Sequence, residues 1–584
     1  MAKSRIITRR KFLCGSATIL SGVSALKSVP ALGQQKVSPN TDYASVIEKI
    51  KRILPATMAE KEIIGTSIAL IDGESIVWSE GFGYTSRTKT VKVTGDTLFH
   101  VGSISKSFTA LGVLKAADKG LLALDDPLKK HLPWFSVNSR FGAAESERIT
   151  LRQLLSHHSG LGTWSPLGNP SDPQYHLRKF EEVVESTRDS WLKFSPGERF
   201  EYSNQGIDLA GYALEVASGK PFAQLMREEI LAPLGMTAST FSQAEATQKE
   251  ACAVGYLGKR PVPTVDGVVT PLLAAGGLFA SANDLARFVV FHLCGGASAG
   301  VQIVSEKLLQ EMYAPQGTAT NQVSGYGLGI YRAIQHDTVR LSHGGLGYGI
   351  SAHYRFLPEH RIGVVLLTNQ DAAHNAPDLA SRVIELILAA KLGSLSKNKP
   401  LNPTDKSNGP FNESAFRRFE GTYLLYERIL FRFKYENGNL FQLVGNEKLK
   451  LEPSTSNEFT HGSRRYKFLL AENGKPQGLQ IVDAYYDPQT AENSVVYLPV
   501  NDTPTDEPGF NRPAWSRCVG KYAGTFIGAS SDAKLSLENG YLYLSDELKL
   551  KEIRPDFFIT ADGEAVIVRG ERLSVGNKLY FKRR

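Results

Sequence analysis

The sequence predicts a mixed α/β (α+β) protein, with one large domain whose sheet is flanked by helices and carries a helical subdomain, followed by two small all-β, barrel-like modules. Three observations predict this class. Strand-like runs lie near both ends of residues 43–392, with helical patterns between them. A polar segment rich in Ser, Asn, Lys and Pro at 393–413 is typical of a linker. Short alternating strands fill the remainder.

The first elements are a hairpin and a buried helix. In TSIALIDGESIVWSEGFGYTS, residues 66–86, two β-rich runs flank the turn signal Asp72-Gly73. The segment SKSFTALGVLKAADKGLL follows at 105–122, and its early residues are apolar around nearly the whole helix circumference. Apart from Lys106, charge enters only from Lys115 onward, so we expect a helix that is buried at its start and exposed at its end.

The middle of the chain, about 140–320, is rich in helix signals. Gly219 is placed to end one helix and Ser281 to cap the start of another. Strand character returns in TVRLSHGG, SAHYRFLPEH and RIGVVLLTN between 338 and 369, before a helix from 377. We therefore expect a sheet that is assembled from both ends of the domain.

The C-terminal residues predict a repeat. FRRFEGTY at 416–423 aligns with WSRCVGKY at 515–522, and a Glu-Asn-Gly turn signal follows in each copy. We place the two modules at 414–505 and 512–584, with their aromatic residues in the cores.

Residues 1–33 resemble an export signal, since a basic start precedes an apolar run and small residues that a peptidase could cut. The pair Arg9-Arg10 resembles a twin-arginine signal, although a general secretory signal or an uncleaved anchor is the alternative. No other stretch has the ~20 continuous apolar residues of a membrane helix. The mature chain is expected to have no transmembrane segment and to be periplasmic or secreted.

The net charge of +8 gives little support for nucleic-acid binding. Six Lys or Arg residues and no acidic residue lie in 1–33, so about +2 remains without the leader. No cluster has metal-ligand spacing, and His157-His158 are expected to shape a turn rather than bind metal. We expect no metal, no cofactor and no nucleic-acid partner, and the sequence leaves the oligomeric state open.

Ser103 and Lys106, three residues apart at the head of the buried helix, are candidates for catalysis. A serine hydroxyl needs a base within hydrogen-bond reach, and positions i and i+3 share a helix face. The same Ser-x-x-Lys spacing recurs at Ser24, Ser394, Ser396 and Ser531 by chance, and Ser103 could be a helix cap alone. The order of further motifs decides in favour of catalysis: Tyr202-Ser203-Asn204 follows, and then His343-Gly344-Gly345 on a predicted strand.

This set, with LRQLLSHHSGL, PGERFEYSN and HGGLGYGISAHYRFLPEHRIGVVLLTN, resembles the serine β-lactamase and penicillin-binding-protein superfamily over residues 43–392, specifically its class C-like hydrolases. With the β modules, the architecture is similar to that of D-aminopeptidase-like members. The resemblance implies an antiparallel sheet, acylation of Ser103, and proton transfer by Lys106 and Tyr202, with the choice of base left open. It also implies that Asn204 hydrogen-bonds Lys106 and the substrate.

The resemblance further implies substrate contacts at His343, Gly345 and Leu346, with the backbone N–H groups of Ser103 and Leu346 forming the oxyanion hole. The implied substrate is a small peptide of the D-amino-acid type, an ester or a β-lactam. A non-catalytic cell-wall or penicillin-sensing protein is the alternative. His343 stands where many relatives have Lys. With an ordinary pKa near 6.5 it would be mostly neutral at pH 7.5 and would favour substrates without a carboxylate, and this preference would shrink as the pH falls and His343 gains a proton.

Overall fold

The computed structural model describes residues 43–168, 177–249, 251–262, 272–317, 325–335, 338–347, 349–370 and 375–393 of the first domain. Of the C-terminal part it describes 413–425, 429–444, 447–461, 464–470, 474–483, 498–500, 518–526, 529–538, 541–545, 548–554, 557–559, 565–569, 572–575 and 578–582. The leader and nearly all of the predicted linker lie outside these ranges.

The α-helices of the described residues all belong to the first domain. They are α1 Ala44–Glu60, α2 Ser105–Asp118, α3 Leu128–His131, α4 Leu151–Leu155, α5 Phe180–Glu185, α6 Asn204–Ser218, α7 Phe222–Met226, α8 Gln243–Thr247, α9 Leu273–Gly276, α10 Ala282–Leu293, α11 Glu306–Tyr313 and α12 Asn375–Leu392. Ser281 caps α10 and Gly219, at φ +67°, ends α6, as the sequence predicts. Helix α2 is buried through Leu114 and exposed at Asp118, which confirms the expected gradient.

The strands of the first domain form one large sheet and three short pairs. They are β1 Gly65–Asp72, β2 Ser75–Gly83, β3 Phe99–His100, β4 Tyr256–Leu257, β5 Arg260–Pro261, β6 Phe279–Ala280, β7 Ala297–Ser298, β8 Val301–Gln302, β9 Gly325–Tyr326, β10 Tyr331–Gln335, β11 Thr338–Gly347, β12 Ile350–Leu357 and β13 Ile362–Thr368. The large sheet has the order β2-β1-β13-β12-β11-β10-β9, and every neighbouring pair is antiparallel.

The sheet joins the two ends of the domain, because β1 pairs with β13, from Thr66↔Thr368 to Asp72↔Ile362. Strand β13 is buried along its whole length, which explains its continuous apolar sequence. One sheet face packs Ile68 and Val364 against α1 and α12. The other face packs against α2, α10 and the helical middle of the chain. This arrangement confirms the predicted antiparallel sheet with flanking helices and a helical subdomain.

The C-terminal residues form two all-β modules, which confirms the predicted class. The first contains β14 Gly421–Leu425, β15 Ile429–Glu436, β16 Asn439–Val444, β17 Glu447–Pro453, β18 Glu458–His461, β19 Arg464–Leu470, β20 Pro476–Asp483 and β21 Leu498–Val500. The second contains β22 Gly520–Phe526, β23 Ala529–Glu538, β24 Tyr541–Leu544, β25 Leu548–Lys549, β26 Lys551–Arg554, β27 Phe557–Ile559, β28 Ala565–Arg569, β29 Arg572–Val575 and β30 Lys578–Lys582.

The repeat predicted from the sequence has a counterpart in strand pairing. The first strand of each module pairs with the last one, β14 with β21 and β22 with β30. Each Glu-Asn-Gly signal lies between two paired strands, β15 with β16 and β23 with β24. The aromatic side chains of Phe459, Tyr466 and Tyr522 are fully buried, as expected of core residues. No helix among the described residues is long and apolar enough to cross a membrane.

Candidate active site

Ser103 lies on a short 3₁₀ turn, Gly102–Ile104, that leads directly into α2. The turn requires φ +51° at Gly102, a left-handed conformation that glycine adopts without strain. Ser103 is thus placed just before the α-helix, and Lys106 lies in the first turn of α2. Ser105 faces elsewhere, because its hydroxyl donates to the Gly102 carbonyl and accepts from the Leu278 N–H.

The ammonium group of Lys106 is the centre of the site. Its Nζ lies 2.9 Å from Ser103 Oγ and 2.8 Å from the carbonyl oxygen of Ala275 in α9. It also lies 4.9 Å from the ring centroid of Tyr202. The side chain is fully buried, so a long cationic residue is held in a single orientation against the serine hydroxyl.

The two candidate bases differ in acidity. Burial lowers the pKa of Lys106 from 10.5 to about 7, and the negative charge of Asp208 counteracts part of this effect. Burial raises the pKa of Tyr202 well above 10, Tyr331 raises it further, and the Ser103 hydroxyl counteracts this. A neutral Lys106 can therefore accept the Ser103 proton near neutral pH, whereas Tyr202 keeps its own proton and can donate it.

Tyr202 is held by the segment that precedes α6. The Ser203 side chain caps α6 by accepting from the Gly206 N–H at 3.0 Å and donates to the Gly162 carbonyl at 2.8 Å. The Ser203 N–H donates to Nδ1 of His157 at 3.1 Å, and the His157 ring lies 4.3 Å from the Tyr202 ring. His157 also confirms the predicted turn, with φ +64°.

Asn204 is the first residue of α6 and is nearly buried. Its backbone N–H donates to the Thr163 carbonyl at 2.9 Å. The expected hydrogen bond between its side chain and Lys106 is not formed between these two described residues. The hydrogen bonds of the ammonium go to Ser103 and to the Ala275 carbonyl.

Gly345 and Leu346 lie on β11 against the Ser103 turn. A Cβ atom on Gly345 would lie 1.8 Å from the Val101 carbonyl oxygen and 3.3 Å from the Ser103 nitrogen, so only glycine allows this approach. A Cβ on Gly102 would lie 3.3 Å from the Leu346 nitrogen. The backbone N–H groups that we expect to form the oxyanion hole therefore belong to two segments in direct contact. The Leu346 side chain is half-exposed.

His343 lies on β11 as predicted, but the expectation about its ionisation is wrong. Its Nε2 lies 2.9 Å from the Tyr326 hydroxyl and its Nδ1 2.7 Å from the Gly344 carbonyl. Burial and, to a smaller extent, the charge of Lys106 lower the pKa of His343, and although the Gly344 carbonyl opposes both, the pKa is about 3. The imidazole is therefore neutral throughout the range in which we expected it to gain a proton.

Two arginines that could replace this missing cation lie on the other face of the sheet. His343 is paired with Tyr354, whose hydroxyl contacts Ser107 of α2 on the site side. Arg355 follows Tyr354 and is paired with Ser342, so it belongs to the opposite face. Arg340 is three residues before His343 on β11 and shares the face of Arg355.

Three parts of the site were not predicted from the sequence. They are the Ala275 carbonyl, the carboxyl of Asp208 and the imidazole of His157, which contact or influence Lys106 and Tyr202. A backbone carbonyl leaves no signal in a sequence. An aspartate within the apolar segment IDLAGYAL did offer one, because buried carboxyl groups are rare without a partner.

The described residues contain no group of three or more His, Cys, Asp or Glu side chains that could hold a metal ion. Cys252, Cys294 and Cys518 form no disulfide with one another.

Comparisons with known proteins show which family this chain resembles. The model of the β-lactamase family matches residues 50–389. Penicillin-binding protein 4* of Bacillus subtilis is 24% identical over 454 residues, which cover 72% of this chain and 96% of that protein. Protein flp of Staphylococcus aureus is 27% identical over 334 residues, or 56% of this chain, and the chain spans 64% of its length.

Among solved structures, the octameric penicillin-binding protein homologue from Pyrococcus abyssi aligns with a TM-score of 0.53 and 25% identity, covering 75% of this chain and 97% of that one. SurE, solved with D-Leu, aligns with a TM-score of 0.54 and 22% identity, covering 78% and 99%. The family match spans the whole sheet and each candidate site residue. The chain belongs to the β-lactamase family, within the superfamily of serine β-lactamases and penicillin-binding proteins.

Proposed function

We propose that this protein is an exported serine hydrolase that forms a covalent acyl-enzyme on Ser103 and hydrolyses an ester or an amide. The observation that carries the proposal is the 2.9 Å contact between Ser103 Oγ and Nζ of the buried Lys106. Because burial brings the pKa of Lys106 to about 7, the lysine can accept the serine proton at neutral pH. The basic leader with Arg9-Arg10 supports export.

We propose the following steps for the reaction. Ser103 Oγ bonds to the substrate carbonyl carbon while its proton passes to Lys106, and the developing oxyanion is stabilised by the backbone N–H groups of Ser103 and Leu346. Collapse breaks the bond to the leaving group, which takes a proton from Tyr202. Tyr202 in turn recovers a proton from Lys106, and water later releases the acyl group by the same steps in reverse.

The test is covalent labelling of the purified mature chain with a fluorescent fluorophosphonate and with a fluorescent penicillin. We expect stoichiometric labelling by the fluorophosphonate, which Ser103→Ala abolishes, while Ser105→Ala, two residues away, retains it. A wild-type protein that folds but takes no label would support the non-catalytic binding protein instead. The substrate classes are then ranked by kcat/KM, measured with p-nitrophenyl esters, with D-leucyl and D-alanyl amides, and with nitrocefin.

We also propose that the preferred substrates lack a free carboxylate next to the scissile bond. His343 is neutral, and Arg340 and Arg355 belong to the opposite sheet face, so none of these three side chains is placed to pair with a substrate carboxylate. A charge-assisted hydrogen bond is worth roughly 1.5 to 3 kcal/mol, so the neutral member of a matched substrate pair should be favoured by about tenfold or more in kcat/KM. The ratio of kcat/KM for the neutral substrate to kcat/KM for the carboxylate substrate should stay constant from pH 5.5 to 8.5. A preference for the carboxylate substrate would contradict the proposal.

A further inference from the structure

Asp208 is a buried carboxyl group beside the site, one turn after Asn204 on α6. Its Oδ1 accepts a hydrogen bond of 2.8 Å from the backbone N–H of Ala275. The carbonyl of the same residue, Ala275, accepts the hydrogen bond from Lys106 at 2.8 Å. One backbone residue is therefore bonded to a carboxyl group through its nitrogen and to the site lysine through its oxygen.

The second oxygen of this carboxyl group has no hydrogen-bond partner among the described residues, although Asp208 is only 1% exposed. Burying a carboxyl group that has an oxygen without a hydrogen-bond partner costs free energy, unless a nearby positive charge or a bound proton compensates for the lost hydration. Burial raises the pKa of Asp208, and although the N–H groups of Ala275 and Ala274 and the charge of Lys106 oppose this rise, the pKa is about 7. Asp208 and Lys106 thus influence each other's ionisation, as each one raises the charged fraction of the other.

We infer that Asp208 is a positioning residue of the hydrolase, which orients the Ala275 carbonyl towards Lys106 and supplies the negative charge that stabilises the lysine when it holds the Ser103 proton. The inference rests on the proposed function. In the tetrahedral intermediate, the Ser103 proton is on Lys106 and the substrate oxygen is negative. An ionised Asp208 then neutralises the ammonium without contacting the substrate.

The other titratable groups around Lys106 do not supply this charge. His157 and His343 are neutral, because burial lowers the pKa of each and Lys106 lowers both further. Tyr202 lies against the ammonium through its ring, and burial raises its pKa well above 10. The carboxyl group of Asp208 is therefore the acidic group that the described residues place beside the lysine.

The test is the pH dependence of kcat/KM for a p-nitrophenyl ester, together with the rate of fluorophosphonate labelling, from pH 5 to 9. Asp208→Asn keeps an oxygen that can accept from the Ala275 N–H but removes the charge. Loss of a nearby negative charge lowers the pKa of a lysine. We therefore expect the acidic limb of the pH profile of kcat/KM to move down by about one pH unit, and the rate on the plateau of that profile to fall roughly tenfold. Asp208→Glu keeps the charge and should keep the acidic limb of the wild type, with a lower plateau.

Asp284→Asn is the matched control, since Asp284 is also buried and accepts from backbone N–H groups, those of Ala238 and Ser239. We expect its acidic limb to match that of the wild type. If Asp208→Asn still labels but its acidic limb stays in place, the inference about Asp208 is overturned and the proposed function is not affected. Should the Asp208 variants not fold, the wild type decides: a profile flat down to pH 5 overturns the inference. Failure of the folded wild type to label overturns the proposed function instead.

Discussion

Lys106 and Lys391 both have almost fully buried side chains, but their neighbours differ. Lys391, at the end of α12, is paired directly with the carboxylate of Asp72 at the end of β1, and Asp72 also accepts from the Tyr43 hydroxyl at 2.8 Å. Lys106 donates instead to a serine hydroxyl and to a backbone carbonyl. A direct carboxylate compensates for the lost hydration of the ammonium, whereas neutral partners compensate only in part.

The difference separates two uses of the same residue type. The Lys391 pair fastens the last helix of the first domain to its first strand and contributes to stability. The Lys106 arrangement leaves the ammonium poorly compensated, so that its proton can leave at neutral pH. The comparison predicts that the same substitution, lysine to methionine, affects activity at one position and stability at the other.

The largest expected effect is on the activity of Lys106→Met. Methionine fills similar space but cannot accept the Ser103 proton, so kcat/KM for a p-nitrophenyl ester should fall by about 10³ or more. The melting temperature should change little, because the poorly compensated ammonium is removed while the buried Asp208 loses its nearby positive charge. The measurements are ester turnover and thermal unfolding of the same preparation. Activity within tenfold of the wild type would show that another group is the base.

The second effect is on the stability of Lys391→Met. Removing one partner of a buried ion pair leaves Asp72 without its countercharge, and since Asp72 is partly exposed we expect a loss of about 2 kcal/mol in the free energy of unfolding. The ester activity of the folded protein should remain within about twofold. Urea unfolding followed by tryptophan fluorescence measures the loss. A stability equal to that of the wild type would show that water replaces the lysine without cost.

The smallest effect is that of pH on the wild type. Below pH 7 Lys106 is protonated and cannot accept the serine proton, so log kcat/KM should fall with a slope of about one per pH unit on the acidic side. Above pH 7 the lysine is neutral and the rate should level off. His343 should add no second inflection between pH 5 and 8, because burial lowers its pKa to about 3. Steady-state rates at saturating and low substrate test both statements.

Much of the fold was predictable because local patterns agree with their surroundings. The Asp72-Gly73 signal forms the β1–β2 hairpin, and the helix from Ser105 is buried in the predicted direction. The ionisation of His343 was not predictable in this way. Its pKa depends on Tyr326, Gly344 and Lys106, which reach it only through the tertiary structure.

The candidate site was predictable where side chains carry the chemistry and not where the backbone does. Ser103, Lys106 and Tyr202 come together as the motif order indicates. The partner expected for Lys106 was the Asn204 amide, but the structure provides the Ala275 carbonyl. Because every residue type has a backbone carbonyl, the contact between Lys106 and Ala275 could be found only once the structure placed α9 beside α2.

The contact of Gly345 with Val101 determines at which stage of synthesis the proposed active site can be complete. Ser103 and Lys106 leave the ribosome more than 200 residues before Gly345, and β13 follows later still. Until β11 lies against the Ser103 turn, the backbone N–H of Leu346 is not beside the nucleophile. On the function that we propose, a nascent or truncated chain has the serine and the lysine but only half of the expected oxyanion hole, and premature acylation by cellular esters is disfavoured while the domain is unfinished.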